Sequence, residues 1–200
     1  MENAARTEAH LARIRDRDTS LRAVCAALLP APGTFVWEVG CGHGHFLTAY
    51  AAAHPGRCCI GVDIASDRIG RAERKRGRAK LANLHFLQAD AAAFLAALPA
   101  HARLSEIYVL FPDPWPKRRH QKNRVLKPAF LADVAARAGE GARLYFRTDD
   151  QSYFSYVEEV INKSREWELT DDPWPLEIAT VFQSRASSHR SLNAARRVGQ

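Results

Sequence analysis

The sequence has no long apolar run and little cysteine. No stretch approaches the roughly 18–20 consecutive apolar residues of a transmembrane helix, and residues 1–20 carry many charges without the apolar segment of a secretory signal. The four cysteines show neither CxxC spacing nor a histidine at a metal-binding interval; they are Cys25, Cys41, Cys58 and Cys59. These absences predict a cytoplasmic protein with reduced, structural cysteines, no metal site and no membrane partner.

Length and composition describe one folded, basic domain. The 200 residues are 46% hydrophobic and 26% charged, which excludes a disordered or fibrous chain. There are 29 Lys and Arg against 22 Asp and Glu, a formal net charge of +7. Such a charge is typical of a protein with an acidic partner, either nucleic acid or an anionic membrane surface, although it also suits a merely soluble surface.

Strand-like and helix-like segments alternate five times along the chain. The predicted strands are 34–40, 57–64, 84–90, 105–111 and 141–149, and the predicted helices are 45–53, 66–81, 91–98, 128–138 and 151–164. Because parallel strands require crossover connections, this order predicts an α/β fold with a doubly wound, mostly parallel sheet. We expect an N-terminal helical segment over 1–30, the sheet domain over 31–186 and a basic tail over 187–200 that either contacts nucleic acid or is disordered.

An acidic residue lies at or just after the end of every predicted strand. These residues are Glu38, Asp63, Asp90, Asp113 and Asp149. In an open α/β sheet, ligands bind at the carboxyl ends of the strands. A purely structural sheet gives no reason for acids to collect at this edge, so they are candidate ligand-binding residues.

The loop after the first strand is rich in glycine and favours one cofactor. Gly40, Gly42 and Gly44 let the backbone turn tightly and approach a ligand, and Asp63 follows about 20 residues later, where an acid binds a ribose diol. A dinucleotide fingerprint would place its third glycine at His45, and Glu38 would repel a pyrophosphate. The acid instead suits the ammonium and sulfonium groups of S-adenosylmethionine (SAM), with Asp90 accepting from the adenine amino group. NAD stays the alternative.

The segment FPDPWPKRRHQKNR at 111–124 is the most specific stretch of the chain. Its three prolines stiffen the backbone after the fourth strand and fix Asp113 and Trp115 beside a substrate. Six basic residues and no acid follow over 117–127, and seven basic residues with one acid occupy 68–80. These segments either contact nucleic-acid phosphates or form solvated faces.

The segment 111–124 resembles the characteristic motif of the bacterial TrmB-type tRNA (guanine-7)-methyltransferases. The likeness runs from about residue 35 to residue 183 and includes the ExGxGxG loop, the acids at Asp63 and Asp90, and Thr148-Asp149. It implies a Rossmann-like class I SAM-dependent methyltransferase fold. It also implies an enzyme that transfers a methyl group from SAM to nitrogen 7 of the variable-loop guanine (position 46) of tRNA.

The resemblance assigns roles by position. It implies that Glu38, Asp63, Asp90 and Asp113 bind SAM together with the glycine loop, that Asp113 is also catalytic, and that Lys117 and Asp149 bind the substrate. A further TxxE motif of the family falls on Thr180 to Gln183, where glutamine replaces the acid. This departure leaves two alternatives: a SAM-dependent paralogue that acts on another RNA or a small molecule, and a catalytically weak RNA-binding protein. The sequence does not indicate the oligomeric state of the protein.

Overall fold

A computed structural model describes residues 2–176 and 188–197. The helices are α1 (Glu2–Leu28), α2 (His45–Ala53), α3 (Ser66–Ala79), α4 (Ala91–Ala97), α5 (Pro128–Arg137) and α6 (Gln151–Asn162), with a 3-10 helix at Arg118–Asn123. The strands are β1 (Gly33–Val39), β2 (Cys58–Asp63), β3 (Leu84–Gln88), β4 (Ala102–Leu110), β5 (Ala138–Thr148), β6 (Trp167–Thr170) and β7 (Arg190–Arg196). Among the helices of these residues, none is both long enough and apolar enough to cross a bilayer.

The strands form one seven-stranded sheet in the order β3-β2-β1-β4-β5-β7-β6. The first five strands pair in parallel, and β7 pairs antiparallel with β5 and β6. The predicted doubly wound, mostly parallel sheet is confirmed. Because β1 to β5 are parallel, their carboxyl ends and the loops that follow them lie at one edge of the sheet.

The last strand corrects the predicted tail. Residues 187–200 were expected to lie outside the domain, but Arg190–Arg196 pair with β5 from Arg190–Thr148 to Ala195–Arg143 and also with β6. Leu192 and Ala194 are buried in the core. The expectation of a separate tail is therefore wrong for these seven residues, because pairing with two neighbours buries a strand whose own composition is largely polar.

Helices cover both faces of the sheet and divide the core in two. On one face, Trp37 of β1 packs with side chains from α1, α4, α5 and α6, such as Cys25 and Phe94. On the other face, Val36 of β1 and Tyr108 of β4 pack with side chains from α2 and α3. The alternation of Val36 and Trp37 follows from the two-residue period of a strand. All four cysteines are free thiols.

Candidate functional site

The loop between β1 and α2 requires its glycines for two different reasons. Gly40, Gly42 and Gly44 have φ angles of 68°, 54° and 65°, in the left-handed region that disfavours side chains. A Cβ atom added at Gly44 would lie 2.4 Å from the Phe86 ring and 2.9 Å from the Ala72 Cβ, so α2 packs tightly there. A Cβ at Gly40 or Gly42 would meet no atom within 4 Å. The loop therefore borders open space at Gly40 and Gly42, which leaves room for a ligand.

Asp63, at the end of β2, holds this loop in place. Its Oδ2 accepts from the Gly42 N–H at 3.0 Å and its Oδ1 accepts from the Ala65 N–H at 2.9 Å. The Arg68 guanidinium lies 3.7 Å from Oδ2. The side chain is only 4% exposed. Asp63 and the glycine loop thus come together as the sequence predicts, and Asp63 has an added structural role; each oxygen retains a lone pair for another donor.

Glu38, on the strand β1 that leads into the loop, is a buried acid with one carboxyl oxygen that lacks a hydrogen-bond partner. It is 4% exposed, and the unpartnered oxygen is Oε2. Burial raises the pKa of Glu38 to about 8; the charge of Asp63 adds to this rise, while the Leu47 N–H and Lys75 oppose it. Buried polar atoms are normally satisfied, and strongly perturbed acids in clefts mark candidate functional sites. A cationic ligand at this edge would supply the missing partner.

Two further residues follow the carboxyl ends of β3 and β2, at the same edge of the sheet. Asp90 is exposed and caps α4, since its Oδ1 accepts from the N–H groups of Ala92 and Ala93 at 2.9 and 3.2 Å. It therefore has a structural explanation as well as the predicted binding role. Ile64, which sequence reasoning missed, directly follows Asp63 and is 72% exposed. Ile64 could have been identified from the sequence as an apolar residue directly after the acid that ends a strand.

The loop after β4 presents Asp113 on a strained backbone. Asp113 is exposed. On either side of it, Phe111 and Trp115 have φ angles of 49° and 46°, which are unfavourable for residues with a side chain. The Phe111 N–H donates to the Arg147 carbonyl oxygen at 2.7 Å and joins the start of the loop to the end of β5. Such a backbone persists only where the surroundings hold it in place.

Arg124 supplies much of this support. It is 2% exposed; its Nε donates to the Pro114 carbonyl oxygen at 2.8 Å, and its Nη2 donates to the Ser152 hydroxyl at 3.2 Å. Its guanidinium lies 4.7 and 5.4 Å from the ring centroids of Tyr153 and Tyr156. The basic residues of 117–127 were expected either to contact phosphates or to form a solvated face. The buried Arg124 fits neither expectation and instead fixes the loop to α6.

The remaining predicted residues fall in two groups. Lys117 and Asp149 are both exposed, and Asp149 directly follows β5. Since β4 and β5 are neighbours, with Leu110 paired to Arg147, the loops that carry Asp113 and Asp149 leave adjacent strand ends. Thr180 and Gln183 lie outside the described residues. Within the described ranges, no group of three or more His, Cys, Asp or Glu side chains is placed to hold a metal ion.

Solved structures share this architecture. The 16S rRNA methyltransferase KamB has a TM-score of 0.61 and 20% sequence identity, over 85% of this chain and 91% of that one. The aminoglycoside resistance methyltransferase NpmB1 has a TM-score of 0.60 and 17% identity, over 88% of this chain and 93% of that one. This similarity shows the fold, the Rossmann-like class I SAM-dependent methyltransferase fold that the resemblance implies.

Curated relatives are more similar in sequence. The tRNA (guanine-N(7)-)-methyltransferase of Burkholderia mallei is 36% identical over 135 residues, which is 68% of this chain and 51% of the relative. That of Rhodospirillum rubrum is 39% identical over 131 residues, 65% of this chain and 51% of the relative. The chain spans about half the length of these two relatives.

A protein-family model covers most of the sheet domain. The model, described as "Putative methyltransferase", matches residues 33–195. The match begins at the first residue of β1 and ends within β7. The chain therefore belongs to this methyltransferase family, and its predicted resemblance to the TrmB-type tRNA (guanine-N(7)-)-methyltransferases is confirmed.

Proposed function

We propose that this protein methylates nitrogen 7 of guanine 46 in the variable loop of tRNA, with SAM as the methyl donor, in the cytoplasm. The observation that carries the proposal is the buried Glu38, whose unpartnered Oε2 lies on the strand that leads into the open glycine loop. Family membership and the names of the curated relatives support the same activity. Lys117, Asp113 and Asp149, near the ends of neighbouring strands, are the proposed groups around the guanine.

The residues around the glycine loop fit SAM, which supplies a methyl group bound to a positively charged sulfur. Glu38 would accept from the ammonium group, and Gly42 would let the backbone approach the cofactor closely. The remaining lone pairs of Asp63 would accept from the ribose hydroxyls. Ile64 offers an exposed apolar surface to the adenine ring, and Asp90 would accept from the adenine amino group.

The reaction requires little proton transfer by the protein. Nitrogen 7 of guanine carries a lone pair and no proton, so no general base is needed before it attacks. The ring gains positive charge as the bond forms, and a carboxylate held beside it stabilises that charge. Asp113 is our proposed catalytic residue for this role. Asp149 would hold another edge of the base, and Lys117 would contact the adjoining phosphate.

Rigid placement of Asp113 matters because methyl transfer requires alignment of the donor and the acceptor. The proline-stiffened loop and the buried Arg124 provide this rigidity. The target edge of guanine is often occupied in folded RNA, and exposing the base costs a few kcal/mol. Phosphate contacts offset that cost. Lys117, Arg118 and Arg119, which are exposed and follow Asp113 in the chain, would make these contacts.

The test is transfer of labelled methyl from SAM to unmodified tRNA, with the product nucleoside identified by mass spectrometry. We expect 7-methylguanosine. Asp113→Ala should lower turnover at least a hundredfold, far more than it weakens SAM binding, since removal of a group that stabilises transition-state charge costs about 10²–10³ in rate. Asp133→Ala, at an exposed acid of α5, is the matched control and should retain full activity.

Two results would count against the proposal. If SAM binds and no tRNA is methylated, or another nucleoside is formed, the substrate assignment is wrong. If Asp113→Ala weakens SAM binding and turnover by the same factor, Asp113 has no part in the chemical step.

A further inference from the structure

A cleft beside the glycine loop is lined entirely by basic residue types. Its volume is about 490 Å³. Its lining residues are His43, His45, Arg71, Arg74, Lys75 and Arg78. We call it the α3 cleft, because four of the six residues belong to that helix. No carboxylate is among the lining residues.

Helical spacing places the basic side chains of α3 on one face. Positions 71, 74, 75 and 78 are separated by three, four and seven residues, which puts their side chains side by side along a helix. The row from Arg71 to Arg78 extends about 10 Å, at roughly 1.5 Å per residue. It is thus longer than one phosphate group, and Arg71, Arg74 and Arg78 are all exposed.

Among the described residues, the arginines of this cleft lack the ion pairs that other basic residues of α3 form. Arg68 lies 3.7 Å from Asp63, and Arg76 lies 3.0 Å from Glu73. None of the ion pairs formed by the described residues involves the three arginines of the row. A helix face that is only solvated usually intersperses both signs of charge.

The basic groups of the cleft also repel one another. Burial lowers the pKa of Lys75 and the charge of Arg78 lowers it further, while the charge of Glu38 opposes this decrease. Burial, then Lys75 and His43, lower the pKa of His45. An anion bound among these groups would relieve the repulsion, which is the behaviour expected of a site for an acidic ligand.

Lys75 connects the cleft to the candidate active site. Its Nζ donates to the His43 carbonyl oxygen at 2.9 Å, and His43 stands between Gly42 and Gly44. A polyanion that occupies the cleft therefore runs past the loop proposed to bind SAM. Forked guanidinium groups are suited to phosphate oxygens, which they bind in pairs of parallel hydrogen bonds.

We propose that the α3 cleft binds the phosphate backbone of the tRNA substrate, as a second contact surface besides the basic residues that follow Asp113. This inference rests on the proposed function. An anionic membrane is a poorer partner, because interfacial helices bury an apolar face. The large apolar side chains that the described residues expose all lie outside α3; they are Ile14, Val24, Ile64 and Leu169.

The experiment removes the three arginines of the row together, as R71Q/R74Q/R78Q. Binding of unmodified tRNA is measured by fluorescence anisotropy between 50 and 200 mM salt. Loss of three phosphate contacts should reduce the slope of log K against log salt by about 2–3 and weaken binding at least tenfold. The SAM dissociation constant should stay within twofold. R71E/R74E/R78E should weaken tRNA binding still further.

The matched control is R103Q/K163Q/R165Q. It removes the same charge at the opposite edge of the sheet, where β4 begins and α6 has ended, from residues that are also exposed. Its salt slope should equal that of the unaltered protein. Thermal unfolding of both triple variants checks that each is folded, and the exposure of the replaced side chains leads us to expect that they are.

Three results would overturn the inference. Equal salt slopes in the two triple variants would show that the row contacts no phosphate. A large loss of SAM affinity in R71Q/R74Q/R78Q would assign the cleft to the cofactor. Loss of binding to vesicles containing anionic phospholipid, with tRNA binding unchanged, would assign it to a membrane.

The binding assay separates this inference from the proposed function. If the unaltered protein methylates tRNA but the slope does not change, the function stands and the cleft proposal fails. If no methyl is transferred but the slope falls as expected, the cleft proposal stands and the assigned reaction fails.

Discussion

Substitution of two neighbouring glycines should separate stability from cofactor binding. In Gly44→Ala, the new Cβ would lie 2.4 Å from the Phe86 ring and 2.9 Å from the Ala72 Cβ. Overpacking of this kind costs about 1–3 kcal/mol. The left-handed backbone adds about 1–2 kcal/mol for a residue with a Cβ. The free energy of unfolding should therefore fall by about 2–5 kcal/mol.

Gly42→Ala carries the backbone penalty without the packing penalty, because its Cβ would meet no atom within 4 Å. We expect a loss of about 1–2 kcal/mol in the free energy of unfolding. The new methyl group would enter the space proposed for SAM, so SAM affinity should fall at least tenfold.

Urea unfolding of both variants measures the first quantity, and calorimetric titration with SAM measures the second. In thermal unfolding, each kcal/mol should lower the midpoint by about 2–4 °C for a domain of this size. Equal destabilisation by the two substitutions would refute the packing argument. Unchanged SAM affinity in a folded Gly42→Ala protein would refute the placement of the cofactor.

The charged residues of the site give two more predictions. Because burial raises the pKa of Glu38 from its ordinary value of 4.5 to about 8, its contribution to stability falls as pH rises through this range. A cationic ligand favours the ionised form, so SAM affinity should rise between pH 6 and 8. Titration calorimetry in buffers of different ionisation enthalpy should detect release of this proton, and Glu38→Gln should abolish the release; persistence of it would contradict the assignment. Arg124→Lys keeps the charge but loses the stacking on Tyr153 and one of two hydrogen bonds. Turnover with tRNA should fall at least tenfold while SAM affinity changes less than twofold, and equal loss of both would contradict a role in holding the Asp113 loop.

Local sequence signals were sufficient for the parallel part of the fold. Short apolar runs located the first five strands, and the helical pattern that ends before His54-Pro55-Gly56 predicted helix 45–53 with the bounds that α2 has. The antiparallel strands β6 and β7 were missed. In β7, Leu192 is buried by pairing with a strand more than 40 residues earlier in the chain. The composition of a short segment does not indicate which distant strand it pairs with.

In the candidate site, too, features set by local sequence could be predicted and features set by distant contacts could not. The acids at the strand ends could be placed from sequence, because parallel strands end at one edge. The burial of Arg124 could not, since the tyrosines that surround it belong to α6, about 30 residues later. The raised pKa of Glu38 could not be predicted either, because it depends on burial of this side chain in the folded protein.

The most direct test of the central claim locates the methyl group within the RNA. Unmodified tRNA is incubated with the protein and SAM, reduced with borohydride and treated with aniline, which cleaves the strand at 7-methylguanosine. We predict a single cleavage at guanine 46, which at equal incubation times is at least a hundredfold weaker with Asp113→Ala and unchanged with Asp133→Ala. Absence of cleavage by the unaltered protein, or cleavage at a different guanine, would contradict the account.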